Sequence, residues 1–190
     1  LLFRKGPLTV GASYACGFIK SDTHLETPNL QFHISPASTD VLGKASLHKF
    51  PAFTPTITNV RPTSRGSIEL KSPDTRVSPK IKMNYLSTHE DREIAGKSLK
   101  IVRNIVMNSE AYKKYEPEEL RPGINITDNE TLAKEAGKFA NTIFHPVSTC
   151  RMGKDEKAVV NDRLVAHGLS NLRIVDASVM PHITSGNTNA

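Results

Sequence analysis

Apolar and polar residues alternate along much of the first half of the chain, which is the pattern of half-buried β-strands. Residues 30–34 show it most clearly, because Leu30, Phe32 and Ile34 are separated by polar side chains. On this pattern His33 lies on the exposed face of its strand. Five segments show this alternation or a concentration of apolar and β-branched residues, and each is predicted to be a strand: 14–19, 30–34, 56–60, 67–71 and 79–86. Short connections join the last three, so we expect them to form one antiparallel sheet.

A helical pattern follows the strands. Ser87 and Glu90 have the spacing of a capping box, which predicts that a helix begins here. Apolar residues then recur at helical spacing as far as about Lys114, and this stripe is expected to pack on the sheet. The basic residues of the opposite face are expected to be solvated: Lys97, Lys100 and Arg103.

A second capping box predicts a further helix. Thr127 and Glu130 begin it, and it ends near Asn141 after about a dozen residues. Strands followed by helices indicate an α+β fold. The predicted architecture is an antiparallel β-sheet with helices packed on one side.

The composition is that of an ordinary globular protein. With 190 residues, of which 37% are hydrophobic, the chain is long enough for a domain with a core. No apolar run approaches the roughly eighteen residues that a membrane span needs, and no signal peptide opens the chain. Because the sequence starts in mid-pattern and without a methionine, we expect it to be a fragment of a longer protein.

The net charge of +6 and the pI of about 9.4 permit attraction to anionic partners. Acidic residues are mixed among the basic ones, without the basic stripe and interleaved aromatic residues of a nucleic-acid surface, so no nucleic-acid role is expected. A basic surface-binding module would rest on net charge alone. Cys16 and Cys150 are too few for a disulfide framework or a metal site, so we expect two unpaired, buried thiols and no metal.

Two C-terminal segments depart from any regular pattern. Prolines and glycines interrupt residues 144–153 and 175–190, and polar side chains occur among apolar ones, as is common at functional sites. His145 in the first segment offers an imidazole, the side chain best suited to exchange a proton near neutral pH. Asn187 in the second offers an amide, which donates and accepts hydrogen bonds without titrating.

The C-terminal signature of the glucose-methanol-choline (GMC) flavoprotein oxidoreductases resembles these two segments, FHPVSTCRMG and VDASVMPHITSGNTNA, with NDRLVAHGLSNLRIVDAS between them. The substrate domain of that family is similar to RPTSRGSIELKSPD and NYLS. The resemblance implies FAD as the cofactor and a small-molecule alcohol as the substrate. The most similar members are insect glucose dehydrogenase-like proteins, which implies oxidation of a sugar, a steroid or another alcohol. Secretion, and reoxidation of the flavin by a quinone-like acceptor or oxygen, are also implied.

The resemblance implies roles for individual residues. His145 corresponds to the histidine that removes the hydroxyl proton as general base, and Asn187 to a histidine or asparagine that holds the substrate oxygen. Ser148 stands where the family usually has glycine, at a position where the backbone is expected to need unusual dihedral angles. Contacts to FAD are implied for four residues: Asp176, Ala177, Thr188 and Asn189.

The resemblance also divides the chain. Residues 1–143 correspond to the substrate-binding (cap) portion, and residues 144–190 to a C-terminal segment that carries the active site and contacts FAD. Within this segment, residues 172–175 are predicted to form a buried strand. The family's N-terminal FAD-binding domain, with its GxGxxG fingerprint, is absent from this sequence. The alternative is a catalytically inactive relative that binds a ligand or a partner.

Overall fold

The computed structural model describes residue 11, residues 13–40 and residues 46–189. The chain forms two compact units, each built from two stretches of sequence. The first, here called the sheet unit, consists of residues 1–63 and 88–141, and the second, the motif unit, consists of residues 64–87 and 142–190. The division between residues 143 and 144 into a substrate-binding and an FAD-contacting portion stays a prediction.

A three-stranded antiparallel sheet forms the centre of the sheet unit. Its strands are β1 (Ala15–Ile19), β2 (Leu30–Ser35) and β3 (Thr54–Asn59), in that order across the sheet. The three corresponding predicted strands are confirmed, with small shifts at their ends. In the register, Cys16 lies opposite His33, and Phe32 lies opposite Ile57.

The middle strand β2 is covered on both faces, because Gln31 is buried as well as Leu30. The Gln31 side-chain amide donates a hydrogen bond to Sγ of Cys16 over 3.5 Å. His33 is half-buried, with Nδ1 3.2 Å from the Ser13 hydroxyl oxygen and Nε2 shielded from solvent. The prediction that His33 lies on an exposed face is therefore wrong, since alternation alone does not distinguish a middle strand covered by neighbours from a strand with one face in water.

Three helices lie among the described residues of the sheet unit: α1 (His89–Asn108), α2 (Glu110–Lys113) and α3 (Asn129–Phe139). α1 packs against α3 and β3. Its N-cap is Thr88, whose hydroxyl oxygen accepts the backbone N–H of Asp91 at 3.2 Å. The helix therefore begins one residue later than a cap at Ser87 predicts.

Ser109 divides the long helix that the sequence predicts. Its backbone is extended, and its hydroxyl oxygen accepts the N–H of Ala111 at 3.3 Å, which ends α1 and caps α2. Hydroxyl side chains compete with helical hydrogen bonds in this way, so the prediction of one helix as far as Lys114 is wrong at this residue. The second predicted helix is confirmed as α3, although its cap is Asp128 rather than Thr127.

Two contacts of α1 explain how the sheet unit packs. A side chain at Gly96 would place its Cβ 2.5 Å from the carbonyl oxygen of Asn129, so the close approach of α1 and α3 needs glycine. Arg103 forms a bidentate ion pair with Glu119, in which Nε and Nη2 donate to the two carboxylate oxygens at 2.6 and 2.8 Å. The two side chains are only 15% and 12% exposed. The Glu119 carboxylate raises the pKa of Arg103. The prediction that Arg103 is solvated is wrong, because this partner permits its burial.

The motif unit begins with a short hairpin of β4 (Ser67–Glu69) and β5 (Lys80–Lys82). Within the described part of the chain these strands pair only with each other, so the prediction that they join the strand at 56–60 in one sheet is wrong. Gly66 shows the tight packing at the base of the hairpin, since a Cβ there would lie 2.1 Å from the carbonyl oxygen of Lys82. Such a contact requires glycine.

The rest of the motif unit is built around Val160, which is fully buried. Isolated β-bridges join Met152 to Val160, Val160 to Ala166 and Val165 to Arg173. The predicted buried strand at 172–175 is wrong, because only the single bridge at Arg173 forms there and Val175 is 72% exposed. A one-bridge pairing leaves most of the segment without the ladder and the cover that a buried strand requires.

The α+β class, with antiparallel sheets and helices, is confirmed. Within the described parts of the chain, no helix combines the length and the apolar character needed to cross a membrane. The same residues contain no group of three or more histidine, cysteine or acidic side chains arranged to hold a metal ion. Both cysteines are free, but Cys16 is exposed and Cys150 is half-buried, so the prediction that both thiols are buried is wrong for Cys16.

Candidate active site

The two C-terminal segments singled out in the sequence lie side by side in the motif unit. The backbone N–H of Cys150 donates to the carbonyl oxygen of Ser178 over 3.0 Å, and that of Met152 donates to Val179 over 2.8 Å. These two bonds align residues 150–152 with the 3₁₀ turn Ala177–Val179. The chemistry-bearing residues on either side of this contact are thereby held in one local structure.

His145 is half-buried and contacts the end of the second segment. Its Nδ1 lies 3.0 Å from the hydroxyl oxygen of Thr188 and accepts the backbone N–H of the same residue at 3.4 Å. Asn187 is exposed and directly precedes Thr188. The structure thus brings the predicted histidine to the residue that follows the predicted asparagine, although 43 positions separate His145 from Thr188 in the chain.

Ser148 also connects the two segments by hydrogen bonds. Its hydroxyl donates to the carbonyl oxygens of Met180 and Pro181, at 2.8 and 3.1 Å. Its φ angle is +74°, in the left-handed region that favours glycine, so the expected unusual dihedral angle is confirmed. The hydroxyl therefore makes contacts that a glycine at this position would lack, while the backbone keeps the conformation that glycine would adopt most easily.

Asp176 acts as the cap of the 3₁₀ turn. Its carboxylate accepts the backbone N–H of Ser178 at 2.8 Å, and hydrogen bonds from the Ser178 side chain and backbone lower the pKa of Asp176. The residue is exposed, and Ala177 after it is half-buried. An exposed, ionised carboxylate beside a small side chain is accessible to a ligand that offers hydroxyl groups.

The sequence analysis did not predict the hydrogen-bond partners of Thr188 and Ser148. It predicted that Thr188 contacts FAD, and in the structure the hydroxyl and the backbone amide of Thr188 also contact His145. It assigned Ser148 no partner, whereas the hydroxyl binds two backbone carbonyls. No local sequence pattern identifies these contacts. Almost any residue can supply a backbone carbonyl or amide, and the two segments are distant in the chain.

A family model described as GMC oxidoreductase matches residues 62–190, which is more than half of the chain. The chain belongs to the GMC oxidoreductase family. The resemblance seen in the two C-terminal segments is therefore confirmed. Its narrower form, a likeness to insect glucose dehydrogenase-like members, stays a prediction.

The sequence relatives of this GMC chain include bacterial enzymes. An oxygen-dependent choline dehydrogenase of Citrobacter koseri is 40% identical over 188 residues, which cover 97% of this chain and 33% of that protein. An alcohol dehydrogenase [acceptor] of Pseudomonas putida is 40% identical over 187 residues, which cover 98% of this chain and 34% of that protein. The chain thus spans about a third of the length of the curated relatives it matches.

Solved structures of GMC type resemble the fold. The structure of pyridoxine 4-oxidase from Mesorbium loti matches 93% of this chain, with a TM-score of 0.74 and 29% identity, and the match covers 35% of the pyridoxine 4-oxidase chain. A variant of formate oxidase from Aspergillus oryzae RIB40, solved to show the effect of the mutation on FAD modification, matches 96% of this chain with a TM-score of 0.82, and the match covers 36% of the formate oxidase chain. At 21% identity the second likeness shows the shared fold alone.

The four residues predicted to contact FAD have a chemistry that fits this cofactor. FAD presents ribityl hydroxyls, an anionic pyrophosphate and a polar edge of the flavin ring. The exposed Asp176 carboxylate can accept from a hydroxyl but would repel the pyrophosphate, and Ala177 leaves room for a close approach. The exposed Asn189 amide can pair with donors and acceptors of the ring edge. Thr188 is already held at His145, and its hydroxyl oxygen has a second lone pair for a ligand.

Proposed function

We propose that the protein containing this chain is an FAD-dependent oxidoreductase that oxidises the CH–OH group of an alcohol, with His145 as the general base. The observation that carries the proposal is the placement of the His145 imidazole, half-buried and held through Nδ1 by Thr188, in a GMC chain. Relatives named choline dehydrogenase, alcohol dehydrogenase and pyridoxine 4-oxidase support an alcohol as the substrate. A sugar or a steroid alcohol, as the insect-type resemblance implies, belongs to this substrate class.

The roles of the residues follow from their chemistry. FAD, when bound, supplies the acceptor for the hydride of the carbinol carbon. His145 removes the hydroxyl proton as the general base. The Asn187 side chain donates an N–H to the substrate oxygen as negative charge develops there, and it stays neutral throughout. Asp176, Ala177, Thr188 and Asn189 would hold FAD.

The proposal is tested in the flavin-loaded protein by His145→Ala. Removal of a general base lowers a rate by about a hundred-fold or more, so we expect anaerobic flavin reduction by an alcohol substrate to slow by at least about a hundred-fold. The flavin content should stay unchanged, because none of the four predicted FAD contacts is removed. His182→Ala is the matched control, since His182 is an exposed histidine of the same unit with no assigned role.

Three outcomes are informative. Unchanged reduction in His145→Ala would remove this residue from the mechanism. Equal slowing in His182→Ala would attribute the effect to a general disturbance of the motif unit. A flavin-loaded wild-type protein that no alcohol reduces would instead favour the inactive, ligand-binding relative. The electron acceptor, whether oxygen or a quinone-like compound, and secretion remain parts of the proposal that rest on the family resemblance.

A further inference from the structure

The first stretch of the motif unit, residues 64–87, contains the β4–β5 hairpin and is ordered without a core of its own. The hydroxyl oxygens of Thr63 and Thr88, at its two ends, lie 2.7 Å apart, and the Asn84 side-chain amide donates to the carbonyl oxygen of Arg65 over 2.9 Å. The structure describes every residue of this stretch, and none of them is buried. Among the described residues, the buried apolar side chains of the motif unit all come from its other stretch: Ala158, Val160, Ala166 and Val179.

The order of this stretch has a cost that its own contacts do not offset. Fixing the backbone of one residue costs about 1–2 kcal/mol of conformational entropy. Asn84 and Leu86 add to this cost, because their φ angles of +54° and +57° lie in the left-handed region that non-glycine residues rarely adopt. A two-stranded hairpin alone is at best marginally stable in water, and it needs a layer packed on its apolar face. The ordered hairpin therefore indicates that another surface covers it.

The two faces of the hairpin differ in character. Ile68 and Ile81 lie directly opposite each other in the ladder, so their side chains share one face. The side chains of the neighbouring residues Glu69 and Lys80 point to the other face, where they form an ion pair over 3.4 Å. Ile68 and Ile81 are 50% and 57% exposed, and Leu70, directly after β4, is 87% exposed. The polar face is suited to water, whereas the apolar face is the one that needs a cover.

We propose that the part of the protein outside these 190 residues, which the family resemblance predicts to be the N-terminal FAD-binding domain, packs on the apolar face of the hairpin formed by Ile68 and Ile81. The chain spans about a third of the length of the curated relatives it matches, so a whole protein of that length has ample surface to cover this face. The interface goes beyond the proposed function, because it does not depend on which residue is the base.

The alternative cover is a second copy of the chain. A cover in the same polypeptide has a high effective concentration, whereas a second copy stabilises the hairpin only when the protein concentration exceeds the Kd of the dimer. Because the stretch 64–87 has no core of its own, it needs its cover at every protein concentration. This requirement favours a cover in the same polypeptide.

The test uses the whole, flavin-loaded protein and compares two adjacent positions of β5. Ile81→Cys places a thiol on the apolar face, and Lys82→Cys, the matched control, places one on the polar face. Maleimide labelling, followed for each cysteine by mass spectrometry so that Cys16 and Cys150 are measured separately, reports solvent access. We expect Ile81→Cys to react at least about a hundred-fold more slowly than Lys82→Cys, because a covered thiol reacts only when its cover opens. Equal rates would overturn the proposal. Ile68→Cys repeats the measurement should Ile81→Cys fail to fold.

Crosslinking identifies the cover. A photoreactive aliphatic amino acid that carries a diazirine replaces Ile81, and the products of irradiation are separated under denaturing conditions and sequenced by mass spectrometry. We expect crosslinks within one chain, to residues outside these 190. A crosslinked dimer would assign the face to a second copy, and crosslinks only within these 190 residues would assign it to the chain itself; either result would overturn the proposal. His145→Ala should leave the labelling and the crosslinks unchanged, so a failure of the proposed reaction is distinguishable from a failure of this interface.

Discussion

The sheet unit and the motif unit differ in how their backbone is stabilised. In the sheet unit, three paired strands and two long helices satisfy most hydrogen bonds in regular arrays. In the motif unit, the backbone is held by a hairpin with three-residue strands, by isolated β-bridges and by side-chain hydrogen bonds. Among the described residues, every non-glycine residue with positive φ except Glu116 lies in the motif unit. Sparsely populated backbone conformations of this kind concentrate at functional sites.

The comparison shows that the candidate site lies in irregular backbone rather than in strands or helices. A strand or a helix directs side chains at fixed intervals, which suits a core but restricts where polar groups can converge. The irregular segments around His145 and Thr188 bring together groups that lie 43 positions apart in the chain. The sheet unit is therefore expected to respond to substitutions mainly in stability, and the motif unit mainly in site geometry.

The largest effect on the sheet unit is expected from Gly96→Val. The new Cβ would meet the carbonyl oxygen of Asn129 at 2.5 Å, and overpacking of this kind costs about 2–3 kcal/mol of unfolding free energy. Urea unfolding, together with hydrogen exchange of the α1 amides, measures this loss of unfolding free energy. Gly17→Val is the matched control, because a Cβ at Gly17 meets nothing within 4 Å. Equal stability of the two variants would contradict the close packing of α1 on α3.

A smaller effect is expected at Ser148, where the two demands of the motif unit can be separated. Ser148→Ala removes both hydrogen bonds and keeps a side chain at φ +74°, whereas Ser148→Gly removes the same bonds and relieves the backbone. A non-glycine residue in this region costs about 1 kcal/mol, so the alanine variant should be less stable than the glycine variant by that amount. Hydrogen exchange in residues 144–153 measures the difference. Alanine and glycine variants of equal stability would show that the backbone is unstrained here.

The smallest effect is expected from acid, at the exposed pair of Arg151 and Asp155. The Arg151 guanidinium, together with the backbone N–H of Lys157, lowers the pKa of Asp155 to about 2. Because the folded-state pKa lies below the ordinary value, the contribution to stability is complete above about pH 4 and is lost as the pH falls toward 2. A carboxyl titration by NMR checks the pKa, and Arg151→Met should return it toward the ordinary value. An unchanged pKa in that variant would exclude the guanidinium as the cause.

The sequence predicts the sheet unit well where periodicity is strong. The strand at 30–34 and the helix after Thr127 follow from their patterns, because burial of one face imposes a regular interval. The break at Ser109 and the buried Arg103 do not follow, since each depends on a competing hydrogen bond or a distant partner. Propensity and periodicity carry no information about such partners.

The candidate site could be predicted by the identity of its residues but not by its contacts. The irregular composition around His145 and Asn187 indicates a functional segment, and the family resemblance assigns roles to them. The Thr188 contact to His145 and the Ser148 contacts to backbone carbonyls appear only when the chain is folded. The exposed Val175 was expected to lie in a buried strand for the same reason, because an apolar run does not reveal whether a partner strand is present.

The most direct test of the central claim is the rate of anaerobic flavin reduction in His145→Ala, measured with and without added imidazole. If His145 removes the substrate proton, the variant should be slower by at least about a hundred-fold, and imidazole diffusing into the vacated space should restore part of the rate in its unprotonated form. The rescue should therefore increase with pH as free imidazole loses its proton. A variant that reduces its flavin as fast as wild type would contradict the claim that His145 is the base.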